Sequence, residues 1–148
     1  MSALAALRAA LELPAQPICL QLTPFEILDA EEDSGLVRVA FAPQPAFGNH
    51  FGNIQGGFAA AMLDVPISFS VYVRTGRFLP TIEIKCSYLR PARIGRCIGE
   101  AQILRAGKNL VFVEGRLLGP DGELAVHATA TVLAAASGSA PVPGGISV

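Results

Sequence analysis

The chain has 148 residues, 51% of them hydrophobic and 16% charged, which suits one domain with a substantial core and excludes a disordered chain. Its formal net charge of -1 argues against nucleic-acid binding driven by bulk electrostatics. Since no apolar run reaches membrane-spanning length unbroken and no signal peptide is recognised, we expect a single cytoplasmic domain over residues 1–148 without a membrane partner.

The N-terminal segment 1–16 is predicted to be mostly helical. Ser2 is a suitable N-cap, leucines recur at i, i+3 and i+7 spacing, and Pro14 ends a helix that continues through Leu13. Residues 18–30 are then expected to be extended. An acidic turn follows at 31–35, and residues 36–41 alternate as a strand.

The longest predicted helix covers residues 56–73, and nearly every face of it is apolar or small. Gly56 and Gly57 open it, and Asp64 is its one charged residue. A lone carboxylate on an apolar helix is costly unless it has a function or a partner. Asp64 is therefore the first catalytic candidate, with an ion pair to a basic group such as Arg74 as the structural alternative.

Four strand signals follow the long helix, at residues 78–89, 96–104, 110–118 and 124–135. The turns between them are short, so we expect an antiparallel meander. The tail, residues 137–148, is rich in Ser, Gly and Pro and is expected to be flexible. The order of elements predicts an α+β architecture in which one antiparallel sheet wraps around the long central helix.

The three cysteines, Cys19, Cys86 and Cys97, show no CxxC spacing. With only His50 and His127 beside them, no zinc template is present, and no metal is expected. We interpret the cysteines as reduced thiols in the core.

Two ordered motifs resemble those of a known family. The first combines an asparagine, a loop, paired glycines and a helical aspartate: Asn49, Gly52, Gln55, Gly56, Gly57 and Asp64. The second runs from Thr81 through Tyr88 and Pro91 to Gly95. Together they resemble hotdog-fold acyl-CoA thioesterases of the phenylacetyl-CoA (PaaI) type over roughly residues 35–135. The resemblance implies the hotdog fold.

The resemblance also implies a chemistry. Asp64 would be the nucleophile or the general base that activates water, and the backbone N–H of Gly56 would polarise the thioester carbonyl. Asn49 would help to hold the carbonyl or the water, and Thr81 would orient water beside the carboxylate. The family's usual histidine is replaced by Gln55, whose amide donates hydrogen bonds but does not titrate.

In this family the site forms between two subunits, with the loop and glycine from one chain and the aspartate and threonine from the other. A homodimer is therefore implied, and often a dimer of dimers. His50 and Gly57 would lie near the substrate, and Arg90, Arg93 and Lys108 are candidates for binding the phosphates of coenzyme A. If they do not bind phosphates, these basic side chains form a solvated rim around the strand turns. No cofactor is implied, because coenzyme A is part of the substrate.

Two alternatives stay open. His50-Phe51 stands fourteen residues before Asp64, a spacing similar to that of hotdog dehydratases acting on 3-hydroxyacyl thioesters. That alternative assigns proton transfer to His50 and Asp64. The second is a non-catalytic protein that binds acyl-CoA, which the glutamine at position 55 leaves open.

Overall fold

The structure is a computed structural model that describes residues 1–14 and 17–135. Its elements, in chain order, are α1 (Ala3–Ala10), α2 (Ile18–Leu22), β1 (Phe25–Glu31), β2 (Leu36–Phe41), α3 (Gly56–Thr75), β3 (Thr81–Tyr88), β4 (Cys97–Ala106), β5 (Leu110–Leu118) and β6 (Leu124–Leu133). A short 3₁₀ helix, Pro45–Phe47, precedes the loop that leads into α3.

The six strands form one antiparallel sheet in the order β1-β2-β4-β5-β6-β3. The predicted meander is confirmed for β4, β5 and β6 but is wrong for β3, which pairs with β6 rather than with β4. Strand β4 already has β2 and β5 as neighbours, so β3 takes the free edge of β6. The connection 89–96 is long enough to cross to β4 without a tight hairpin.

Helix α3 lies across the inner face of the sheet, and the apolar side chains on the face toward the sheet, including Met62 and Ile67, are fully buried. Glycine on β4 permits the close approach, because a Cβ at Gly99 would stand 2.8 Å from Phe41 and 3.2 Å from Pro66. By length and composition alone α3 could cross a membrane, yet here it packs as the core helix of the sheet. The predicted α+β architecture, a sheet wrapped around one long helix, is confirmed.

The helix begins at Gly56 as predicted and continues two residues past the predicted end. Gly76 ends it in the left-handed conformation, with φ of 71°, and donates its N–H to the carbonyl of Tyr72 at 2.7 Å. This is the usual glycine C-cap, which satisfies a carbonyl that the last turn would otherwise leave free.

The N-terminal segment departs from its prediction in two places. Ser2 caps α1 by accepting the N–H of Ala5 at 3.2 Å, but α1 ends at Ala10. Residues 18–22 form α2 rather than a strand, and the carbonyl of Pro17, its N-cap residue, accepts the N–H groups of Leu20 and Gln21. Residues 15–16 lie outside the described residues.

The cysteines are not all in the core. Cys97 is buried, Cys86 is half-buried and Cys19 is exposed on α2, so the core assignment is wrong for Cys19. Burial, with a smaller contribution from Asp121, raises the pKa of Cys97 to about 11. Among residues 1–14 and 17–135, no cluster of His, Cys, Asp and Glu could hold a metal ion. The predicted flexible tail, residues 137–148, lies outside the described part of the chain.

Candidate active site

Asp64 and Thr81 meet where α3 passes the start of β3. The Thr81 hydroxyl donates a hydrogen bond to Asp64 Oδ1 at 3.3 Å. No ion pair joins Asp64 to Arg74 among the described residues, so the structural alternative for the carboxylate is not formed. The carboxylate is exposed to a groove rather than buried in the core.

A β-bulge turns Thr81 toward the helix. Thr81 pairs with Val132 and Glu83 pairs with Thr131, so Ile82 is an extra residue on β3. Val132 belongs to the buried inner face of β6, and its partner Thr81 therefore faces inward. Bulges of this kind redirect a side chain next to an active site.

A second contact joins the other end of β3 to the start of α3. The hydroxyl of Tyr88 donates to the carbonyl of Gly56 at 2.7 Å. Partial burial, and to a smaller extent the neighbouring Cys86 thiol, raises the pKa of Tyr88, so the phenol stays protonated as a donor. A Cβ at position 56 would stand 3.2 Å from the tyrosine ring, which is why a glycine fits there.

The N-terminus of α3 presents free donors. Within residues 1–14 and 17–135, the N–H groups of Gly56 and Gly57 have no hydrogen-bond partner. The first N–H groups of a helix have no intrahelical acceptor, and they lie at the positive end of its dipole. The exposed Gln55 is the N-cap residue, and its side chain makes no capping bond. Free N–H groups at this point suit a developing negative charge.

The loop before α3 is held by Asn49. Its side-chain oxygen accepts the N–H groups of Phe51 at 2.9 Å and Asn53 at 3.2 Å. Gly52 completes the turn with φ of 73° and donates its N–H to the carbonyl of Asn49. The oxygen of Asn49 therefore braces the loop, and its amide group has no hydrogen-bond partner among the described residues. His50 is exposed on the same turn.

The predicted catalytic residues fall into two groups within one chain. Asp64 and Thr81 form one group, and Asn49, Gln55 and Gly56 form the other. Eight helical residues separate Gly56 from Asp64, a rise of about 12 Å along α3. One chain therefore does not bring the free N–H groups and the carboxylate to the same carbonyl.

The basic candidates are divided in the same way. Arg93 lies beside the loop, since its backbone bridges to Asn53, and the nearby Arg90 forms an ion pair with Glu123 at 2.8 Å. Lys108 follows the other end of β4, and the ten residues of that strand separate it from Arg93 by about 33 Å. The turn at 108–109 lies next to the start of β3. At the end of β6, Leu133 donates its N–H to the carbonyl of Pro80, and the next residue, Ala134, donates its N–H to the carbonyl of Asn109.

A groove of about 480 Å³ opens beside Asp64. Its floor is one face of α3, and its opposite wall comes from residues before β1. The lining is mostly apolar, and Asp64 is the one carboxylate among its described residues. His50 does not line this groove, so within one chain the proton-transfer pair of the dehydratase alternative is not assembled.

Residues 51–126, just over half of the chain, match the family model of the thioesterase superfamily. The chain belongs to the thioesterase superfamily. A solved structure of a putative thioesterase from Ralstonia eutropha JMP134, a phenylacetic acid degradation-related protein, is 31% identical, with a TM-score of 0.77. The similarity covers 90% of this chain and 99% of that one, and it confirms the predicted hotdog fold and family.

Two more distant structures share the fold of this thioesterase-superfamily chain. A hypothetical thioesterase from Streptococcus pneumoniae TIGR4, solved with coenzyme A, is 21% identical, with a TM-score of 0.66 over 74% of this chain and 84% of that one. A Streptococcus mutans UA159 protein bound to acetyl-CoA is 20% identical, with the same TM-score over 74% and 86%. A comparison with curated proteins finds no match.

Sequence reasoning missed two features next to the candidate site. Tyr88 was recognised within the second motif without a role, because nothing local shows that its hydroxyl reaches Gly56. The wall of the groove was missed because residues 18–22 were predicted to be extended. The proline at position 17, which suits a helix start, was the available signal.

Proposed function

We propose that the protein hydrolyses acyl-CoA thioesters to a free acid and coenzyme A, with Asp64 as the general base or nucleophile. The observation that carries this proposal is the Asp64–Thr81 pair, in which the hydroxyl donates to the carboxylate of Asp64, and Asp64 lines an apolar groove. The family adds thioester chemistry to that geometry. Coenzyme A in the substrate is the only cofactor-like group required.

In the general-base form, Asp64 accepts a proton from a water that Thr81 orients, and the water oxygen bonds to the thioester carbonyl carbon. The resulting oxyanion accepts hydrogen bonds from the free N–H of Gly56 and from the Asn49 or Gln55 amide. The C–S bond then breaks, and the proton held by Asp64 passes to the departing coenzyme A thiolate. A positioned acid–base group of this kind contributes on the order of 10² to 10⁴ in rate.

Two subunits are needed to complete this site. The free N–H groups of α3 and the Asp64 of the same chain are about 12 Å apart along the helix, too far for one carbonyl. In a homodimer, Gly56 of one subunit faces Asp64 and Thr81 of the other. Lys108 then lies on the aspartate side and Arg93 on the glycine side, so both cations are available to coenzyme A phosphates. Pairing of two dimers is compatible with this arrangement.

Relatives support coenzyme A as the carrier. The Streptococcus pneumoniae structure holds coenzyme A and the Streptococcus mutans structure holds acetyl-CoA. Arg93 and Lys108 supply exposed positive charge for a ligand that carries phosphates. Arg90 is already paired with Glu123, so we assign it a smaller part in phosphate binding.

The deciding experiment measures release of free thiol from a panel of acyl-CoAs. Wild-type protein is expected to hydrolyse at least one of them. Asp64→Ala should lower kcat by about 10² to 10⁴, and the isosteric Asp64→Asn should also be impaired because the amide does not accept the proton. Asp33→Asn is the matched control, since it removes a carboxylate from the exposed turn between β1 and β2.

Undiminished hydrolysis by Asp64→Ala would contradict the mechanism. Tight binding of acyl-CoA by wild-type protein with no turnover across the panel would instead establish a non-catalytic binder. A change in absorbance with an enoyl thioester, lost in His50→Ala, would establish the dehydratase.

A further inference from the structure

The wall of the groove beside Asp64 belongs to the N-terminal segment of the chain. Seven described residues that precede β1 line it, and they are Leu11, Leu13, Pro17, Cys19, Leu20, Leu22 and Thr23. All of them lie outside residues 51–126, the part that matches the family model. The part of the chain that matches the family model therefore does not include this wall.

The floor of the groove is one stripe of α3. Phe58, Ala61, Val65 and Ser68 recur at helical spacing on the same face as Asp64, and the stripe from Phe58 to Phe69 is about 16 Å long. Both ends carry stacked rings. Phe58 stacks on Phe47 with ring centroids 4.2 Å apart, and at the far end Phe78 stacks on Tyr72 at 4.5 Å.

A second cavity of about 590 Å³ lies behind the wall, between the N-terminal helices and β1. It is lined by Arg8, Phe25 and Ile27 among others, and it shares two residues with the groove, Leu11 and Leu20. These two leucines separate the cavities. Arg8 is tied to the carbonyl of Ile27 at 2.8 Å, which fastens α1 to β1 behind the partition.

We propose that α2 and the residues before it select the acyl group. An apolar acyl chain lies along α3 beneath α2, with its thioester at Asp64, and Leu20 stops it from entering the second cavity. This inference rests on the proposed thioester hydrolysis and names its substrate class. A mostly apolar groove with one carboxylate beside the reacting carbonyl is the usual form of such a site.

The dimensions of the groove set the preferred length. From Asp64 to either stacked ring pair the floor extends about 8 Å. An extended chain advances about 1.2 Å per bond, by analogy with the polypeptide backbone, so that distance holds about six to eight carbons. Each buried methylene should raise kcat/KM by about fourfold until the groove is full.

The first test compares straight-chain acyl-CoAs of two to twelve carbons with wild-type protein and three variants. Leu20→Trp narrows the groove and should lower the octanoyl-to-butyryl ratio of kcat/KM by about tenfold. Leu20→Ala joins the two cavities and should move the optimum to longer chains. Ile18→Trp is the matched control, because Ile18 is on the same helix, is 62% exposed and lines neither cavity.

The second test measures binding without turnover. The sequence contains no tryptophan, so each tryptophan variant carries one indole reporter. In an Asp64→Asn background, octanoyl-CoA should shift the emission of Leu20→Trp to shorter wavelength, while coenzyme A alone should not. The emission of Ile18→Trp should stay unchanged with both ligands.

The outcomes separate the two proposals. If the protein hydrolyses acyl-CoAs but the Leu20 variants keep the wild-type chain-length profile, this inference is wrong and the proposed function stands. An indole emission from Leu20→Trp that stays unchanged on saturation with octanoyl-CoA would overturn the inference in the same way. If wild-type protein neither binds nor hydrolyses any member of the series, the proposed function fails and this inference fails with it.

Discussion

At the residue scale, the position of the Thr81 hydroxyl depends on one extra residue in β3. Strict alternation would place Thr81 and Tyr88 on opposite faces, because they are seven residues apart. The bulge at Ile82 removes that difference, so both side chains face α3. The helix is thereby held by β3 at two points, one at each end of the strand.

Replacing the hydroxyl of Thr81 tests whether its contact with Asp64 serves catalysis. Thr81→Val keeps the shape of the side chain but removes the donor, and it should lower kcat by about ten- to a hundredfold, since a hydrogen bond to a charged group contributes about 1.5–3 kcal/mol. Thr81→Ser should recover most of the loss. Steady-state kinetics with an acyl-CoA substrate measures both, and KM should change little.

A purely structural role for Thr81 would give a different pattern. In that case Thr81→Val would lower the midpoint of urea unfolding while kcat remained at the wild-type value. β-Branched valine is well suited to a strand, so stability is expected to hold.

At the element scale, the tip of the β1–β2 hairpin fixes the C-terminal half of α3. The buried hydroxyl of Ser70 donates to the carbonyl of Gly35 at 2.5 Å. Gly35 has φ of 64°, and a Cβ there would overlap the Ile103 side chain. The turn thus needs a glycine both for its backbone conformation and for the space beside β4.

Two glycine substitutions separate these requirements. Gly35→Ala and Gly122→Ala each place a side chain at positive φ, which costs about 1–2 kcal/mol. Gly122 has open space around its Cβ position, whereas position 35 adds an overpacking cost of about 1–3 kcal/mol. Urea unfolding should therefore show a larger loss of stability for Gly35→Ala. Equal losses would mean that Ile103 moves aside freely.

The elements differ in how far the sequence predicts them. Helix α3 and strand β2 follow directly from their apolar patterns, and Asp64 and Gly56 are evident as a lone charge and a helix start. The strand that pairs with β3 is not predictable from the apolar pattern of β3, because β4 and β6 offer similar apolar faces. Only the complete sheet, in which β4 already has two neighbours, leaves the edge of β6 free for β3. The inward direction of Thr81 depends on a register shift that appears only once β3 is paired with β6.

At the scale of the whole molecule, β3 is an edge strand of the sheet. Ile82 is 55% exposed, and Tyr88 and Leu89 are also exposed at or beside this edge. An unpaired edge with apolar side chains is a template for another chain. The same edge carries Thr81 at one end and Tyr88 at the other, so each half of the proposed site lies where a second copy would pair.

Subunit complementation tests this shared site directly. Asp64→Ala removes the carboxylate, and Gly56→Val pushes a side chain against Tyr88 and blocks the free N–H, so each variant alone should be inactive. In a mixed dimer, Asp64 of one subunit meets Gly56 of the other, and one of the two sites is intact. Random pairing of co-expressed variants should therefore restore about one quarter of wild-type activity. Light scattering should give two or four times the chain mass of 15.4 kDa. Mixed dimers without activity would mean that the site lies within one chain.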